Sequence, residues 1–186
     1  MFHKLSRKSI AAGLILAFCY VLCFFRFGFC LHFLLLCLFY SILLFAAIVD
    51  FDSMYIPDSV HFVILLLAVL SFFDPLSPSL MSRLMGAVTA GGFLMLLSLI
   101  SHGGVGFGDI KLLFSAGFLL GFSKNIMSLL LGYSLAGSFC VFLLFFQKLD
   151  RKTAIPMAPF FAISFFLCSL WGDAILMWYL GFFLYP

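Results

Sequence analysis

Glutamate is absent from this chain, and all seven acidic side chains are aspartates. Charge of either sign is scarce: charged residues make up 9% of the 186 positions, where a soluble domain carries about 25%. So little charge excludes an ordinary water-covered globule. The ten Lys and Arg give a net charge of only +3, with no cluster that could form an exposed basic face, so no nucleic-acid partner is expected. No C-x-x-C pair occurs among Cys19, Cys23, Cys30, Cys37, Cys140 and Cys168, and all six lie in or beside apolar runs. His3, His32, His61 and His102 are scattered as well. Without grouped sulfur and imidazole ligands, no metal site and no cofactor are expected, and the cysteines read as small buried membrane residues.

What the chain has in quantity is apolar length. Hydrophobic residues make up 66% of it, and the mean hydropathy is +1.29. A membrane-spanning helix needs ~20 apolar residues, because its backbone must satisfy its hydrogen bonds internally. Apolar runs fall at roughly 10–25, 29–49, 60–73, 82–100, 110–121, 126–146 and 157–171, with a possible eighth at 174–185. These predict an all-α, polytopic transmembrane bundle of about seven helices (six to eight), a single membrane domain over 1–186 with its motifs within about 30–171, and no soluble domain. The runs at 60–73 and 110–121 are short for a full span and are expected to extend into their polar flanks. Lys4, Arg7 and Lys8 precede the first run as in a signal peptide. No small-x-small cleavage site follows, so the run reads as a retained first helix.

The lysine and arginine distribution orients the bundle. With the N-terminus in the cytoplasm, Lys4, Arg7, Lys8, Lys111, Lys148, Arg151 and Lys152 fall on the cytoplasmic side, while Arg26, Arg83 and Lys124 fall outside. Asp74, Asp150 and Asp173 read as solvated loop charges. The other four aspartates lie in two segments, Ile48-Val49-Asp50-Phe51-Asp52-Ser53-Met54-Tyr55-Ile56-Pro57-Asp58 and Gly103-Gly104-Val105-Gly106-Phe107-Gly108-Asp109-Ile110-Lys111. Two complete runs separate the segments. An even number of crossings returns the chain to one face, so Asp50 and Asp109 share it.

Asp50 ends an apolar run and Asp109 begins one, which puts both at the membrane interface, where a carboxylate is costly unless paired or hydrated. Asp52 is ~200° further round the helix and is expected to face away. Asp58 follows Pro57 and suits the positive end of the third helix. Gly103, Gly104, Gly106 and Gly108 permit close backbone approach, which suits a site holding an extended peptide. Two carboxylates that meet cannot both ionise cheaply and share one proton. The ionised partner can take a proton from water attacking a peptide carbonyl, while the protonated partner polarises that carbonyl. Such chemistry needs neither metal nor nucleophilic side chain.

At these residues the chain resembles the type IV prepilin peptidase family, bacterial members of the G-x-G-D membrane aspartyl proteases. Gly106-Phe107-Gly108-Asp109-Ile110-Lys111-Leu112-Leu113 is similar to the family's G-x-G-D-[IV]-K-L pattern, and Asp50 with Ile56-Pro57-Asp58 to its first aspartate motif. Arg151 with Ile155-Pro156-Met157-Ala158-Pro159-Phe160 is similar to a third motif, with Met-Ala in place of Phe-Gly. The resemblance implies an inner-membrane endopeptidase that removes short basic leaders from prepilins or type II secretion pseudopilins on the cytoplasmic side, with Asp50 and Asp109 as the catalytic pair. Gly106, Gly108, Lys111 and Asp58 belong to the matched motifs as substrate-binding or motif residues. Longer members carry a C-x-x-C-bearing domain associated with methyl transfer. Only Arg26, Phe27 and Gly28 separate the first two runs here, so methyltransferase activity is not expected.

Two other readings compete. A presenilin-like protease would place Tyr-Asp in the earlier helix and Pro-Ala-Leu near the end, but Val49 precedes Asp50 and no Pro-Ala-Leu occurs. An ion- or proton-coupled transporter would place carboxylates near mid-helix within an inverted repeat. The aspartates here lie at run ends, and no repeat is visible.

Overall fold

The computed structural model describes residues 2–146 and 155–184. Among them the chain forms seven α-helices and no strand: α1 (Phe2–Phe27), α2 (Leu31–Ser53), α3 (Asp58–Leu70), α4 (Leu80–Ile100), α5 (Phe107–Leu120), α6 (Phe122–Phe145) and α7 (Ala158–Leu184). A 3-10 turn, Ser71–Phe73, follows α3. Five helices (α1, α2, α4, α6 and α7) are long and apolar enough to cross a membrane. The polytopic bundle expected from the apolar runs is what the chain builds. The possible eighth run at 174–185 is instead the continuation of α7. Gly172 and Asp173 do not break that helix: an interior glycine costs only about 1 kcal/mol, and Asp173 reaches Lys124 of α6 at 3.6 Å. Lys148, Asp150, Arg151 and Lys152 lie outside the described residues.

Helix α5 is the centre of the packing. Its Ile110, Leu112, Leu113, Ala116 and Leu119 are buried among α3, α4 and α6. Close approach of α4 and α5 depends on missing side chains. A Cβ on Gly86 would stand 2.6 Å from the Gly121 carbonyl carbon, and one on Gly117 would stand 2.6 Å from that of Gly86. Asn125 of α6 locks this crossing by donating to the carbonyls of Gly86 (2.9 Å) and Leu113 (3.0 Å). Small residues at such contacts let helices pack where lipid supplies no hydrophobic drive. On the other flank α2 meets α7, with Phe39 edge-on to Phe165 and the Tyr40 hydroxyl 2.6 Å from Ser169 Oγ.

Helices α3 and α5 have 13 and 14 residues, or about 20 Å at 1.5 Å per residue, against a hydrocarbon thickness of about 30 Å. They stay short even with the two or three residues each gains at its polar N-terminal flank. Where α3 stops, its last carbonyls need donors inside the bundle, and Arg83 supplies them. Its guanidinium donates to Ala68 O (2.8 Å), Ser71 Oγ (2.7 Å), Ser71 O (3.2 Å) and Pro78 O (3.0 Å), and lies 4.3 Å from the centre of the Phe72 ring. Arg83 lies at the bundle end opposite the aspartates and is fully buried. Asp74 differs from the expectation made for it. It is not a solvated loop charge but a buried group, 2.5 Å from His32 Nδ1, whose Oδ1 also accepts the Leu76 amide at 3.1 Å. Its short connection folds onto the bundle end, where a carboxylate persists only with partners.

Candidate active site

The four aspartates of the two motif segments separate by burial. Asp50, in the last turn of α2, and Asp109, in the first turn of α5, are both buried, whereas Asp52 and Asp58 are exposed. Asp50 and Asp109 line one cavity of about 200 Å³ with Met54, Tyr55, Ile56, Gly106, Phe107 and Gly108. A water occupies about 30 Å³ of liquid, so the space holds several waters or part of an extended peptide. Both aspartates therefore line one cavity at one end of the bundle, as helix parity requires. Asp52 does not line the cavity.

Local geometry brings the segments together. Helix α2 ends one turn past Asp50, where Met54 takes a left-handed conformation (φ 54°) and its amide bonds Asp50 O at 2.8 Å. The reversal sends Tyr55-Ile56-Pro57 towards α5, and Pro57 then caps α3 in an extended conformation. Ile56 is buried against Gly108: a Cβ on that glycine would stand 3.2 Å from Ile56 Cβ. A Cβ on Gly106 would stand 3.1 Å from Asp109 Oδ2. The two motif glycines thus leave room for different things, Gly108 for the neighbouring segment and Gly106 for the carboxylate. Neither has positive φ; in this loop only Gly103 (φ 92°) and His102 (φ 52°) do.

Asp58, in the first turn of α3 as expected, also forms an ion pair with the motif residue Lys111 at 2.7 Å. This contact joins the starts of α5 and α3 at the rim of the site. Both side chains are substantially exposed, so the pair sets alignment more than stability.

Two contributors escaped the sequence reading. Ala158, the first residue of α7, donates its amide to Asp50 Oδ2 at 2.9 Å across 108 positions of sequence. Tyr133 of α6, packed on Phe161 at 5.5 Å, lies within electrostatic reach of Asp109. The third motif flagged the Ala158 segment without saying what it touches, and nothing local marks Tyr133. Among the described residues, no group of three or more His, Cys, Asp or Glu is placed to hold a metal ion.

Two buried aspartates lining one cavity in an all-helical bundle fit what was expected of a membrane aspartyl peptidase. Comparison with known proteins narrows that class. Residues 37–142, more than half of the chain, match the type IV leader peptidase family, and the chain belongs to it. A prepilin leader peptidase/N-methyltransferase of Bacillus subtilis (strain 168) is 31% identical over 179 residues, covering 96% of this chain and 72% of that protein. Proteins of the same name from Aeromonas hydrophila (32% identical) and Stutzerimonas stutzeri (33%) match 73% and 75% of this chain and 49% and 50% of their own lengths. The chain thus spans about half the length of those two relatives. No solved structure matches it significantly.

Proposed function

We propose that this chain is an aspartyl endopeptidase of the bacterial inner membrane that removes the short basic leader from prepilins or type II secretion pseudopilins. The observation that carries it is the convergence of buried Asp50 and Asp109 on one cavity within a member of the type IV leader peptidase family. In the proposed reaction the ionised aspartate takes a proton from water as the water oxygen adds to the scissile carbonyl. The protonated aspartate hydrogen-bonds the carbonyl oxygen, and a proton then passes to the leaving nitrogen as the C–N bond breaks. Gly108 and the Lys111–Asp58 pair hold the two segments in register, and Gly106 leaves room for the Asp109 carboxylate. Methyl transfer is named for the relatives and is not proposed for this chain.

Charge supports a cytoplasmic site. Helix parity puts the N-terminal Lys4, Arg7 and Lys8 at the same end of the bundle as the two aspartates. At the opposite end Arg83 is buried, Arg26 donates to Leu170 O at 3.4 Å and Lys124 lies 3.6 Å from Asp173, so those three cations are engaged within the protein. The positive-inside rule then favours the aspartate end as cytoplasmic.

The test is cleavage of a prepilin-like substrate by the protein reconstituted in lipid. Asp50→Asn and Asp109→Asn should each abolish cleavage while the protein still inserts. Normal turnover by either variant would refute the dyad.

A further inference from the structure

We infer that the start of α7 is a working part of the site: the backbone amide of Ala158 orients Asp50 as the water-activating carboxylate and leaves Asp109 as the proton-bearing partner. This rests on the dyad proposed above and assigns its two members different tasks.

The first amides of a helix have no intrahelical acceptor, and they favour an anion. In α7 most of these donors are unavailable. Pro159 has no N–H, and the amides of Phe160 and Phe161 both bond Met157 O at 3.1 Å. Ala158 N–H is left within the helix, and it points at Asp50 Oδ2 at 2.9 Å; the amide of Met157, just before the helix, is directed at the same carboxylate. An amide N–H can only donate, so this contact is strongest with an ionised carboxylate. It also fixes one oxygen of Asp50, so that the other is presented in a set direction.

Asp109 is treated differently. It too lies in a first helical turn, but its own amide bonds Gly106 O at 3.1 Å, and among the described residues no donor reaches its carboxylate. Tyr133 of α6 is within electrostatic reach of Asp109, and Tyr55 lines the cavity from the connection between α2 and α3. From the start of α7 only backbone faces Asp50; the residues Ala158 to Phe166 include no ionisable side chain. The asymmetry therefore comes from main chain, in a segment, Pro156-Met157-Ala158-Pro159, where prolines bracket the donor.

Ala158→Pro deletes the donor at the first helical position, where proline is tolerated. Replacing Ala158 by lactic acid, an amide-to-ester change, removes the same N–H without altering the side chain, and it decides the matter if the proline variant does not fold. Ala158→Gly keeps the N–H and serves as the control. With a prepilin-like peptide and protein in nanodiscs, the proline and ester variants should lose about 10- to 100-fold in kcat, the value of one hydrogen bond to a charged group. KM should stay within about twofold, as for an interaction made in the chemical step, and the glycine variant should keep most of its turnover. Wild-type kcat in the ester variant, or an equal loss in the glycine variant, would overturn the inference. If Asp50→Asn is inactive in the same assay, that failure leaves the dyad standing; if Asp50→Asn is active, the dyad itself has failed.

Discussion

Replacing Gly106 by alanine separates the geometry of the site from the stability of the fold. The new methyl would be built 3.1 Å from Asp109 Oδ2 and 3.8 Å from its Cγ, against an ordinary contact of about 3.5 Å. The carboxylate must therefore move by a few tenths of an ångström, away from the position it shares with Asp50. A misplacement of ~1 Å costs about 100-fold in rate, so the expected loss in kcat is about 3- to 10-fold. The backbone does not object. Gly106 has φ −64° and ψ 135°, an extended conformation alanine adopts freely, and such a replacement restricts the unfolded chain by about 0.4–1 kcal/mol in favour of the fold. Gly106→Ala should thus unfold at the same temperature as wild type or slightly above it, yet cleave more slowly. Gly108→Ala is the contrast, because its methyl would press at 3.2 Å on buried Ile56 and should lower stability and activity together. Thermal unfolding and peptide cleavage on the same nanodisc samples distinguish the two. Wild-type turnover by Gly106→Ala, or a stability loss matching that of Gly108→Ala, would refute the assignment of Gly106 to the carboxylate.

Arg83→Leu should destabilise the bundle by about 3 kcal/mol or more, because several buried oxygens lose their donor at about 1–3 kcal/mol each; an unchanged melting temperature would contradict this. The aspartates lie at the far end, so activity per folded molecule should persist. For topology, single cysteines at Ser53 and Val105 in an otherwise cysteine-free protein should be labelled from the cytoplasm, and one at Ser77 only from the opposite side. Labelling of Ser53 and Val105 from opposite faces would break the shared end that the dyad requires.

Much of this molecule could be read from one dimension. Apolar run length dictates spanning helices, because an unpaired backbone group has no partner in hydrocarbon, and the runs located all seven helices of the described chain. Counting crossings placed Asp50 and Asp109 at one end without knowledge of packing. The G-x-G-D pattern singled out Asp109, and the depth of Asp50 in its run set it apart from exposed Asp52 only two positions away.

What the sequence could not supply was set by contacts between distant segments. Asp74 looked like a loop charge because no local signal reveals that its loop folds back onto His32. The burial of Arg83 was not legible because the need for it arises elsewhere, in the carbonyls that short α3 leaves unpaired. Gly106 and Gly108 are alike on the page, yet one clears space for a carboxylate and the other for Ile56. The Ala158 amide is a main-chain atom that no residue type advertises, and its acceptor lies 108 positions away. Length and polarity, which act along the chain, were settled by sequence alone. Direction and distance between side chain and backbone were settled only when the helices packed, because hydrogen bonds and close contacts depend on geometry that composition does not carry.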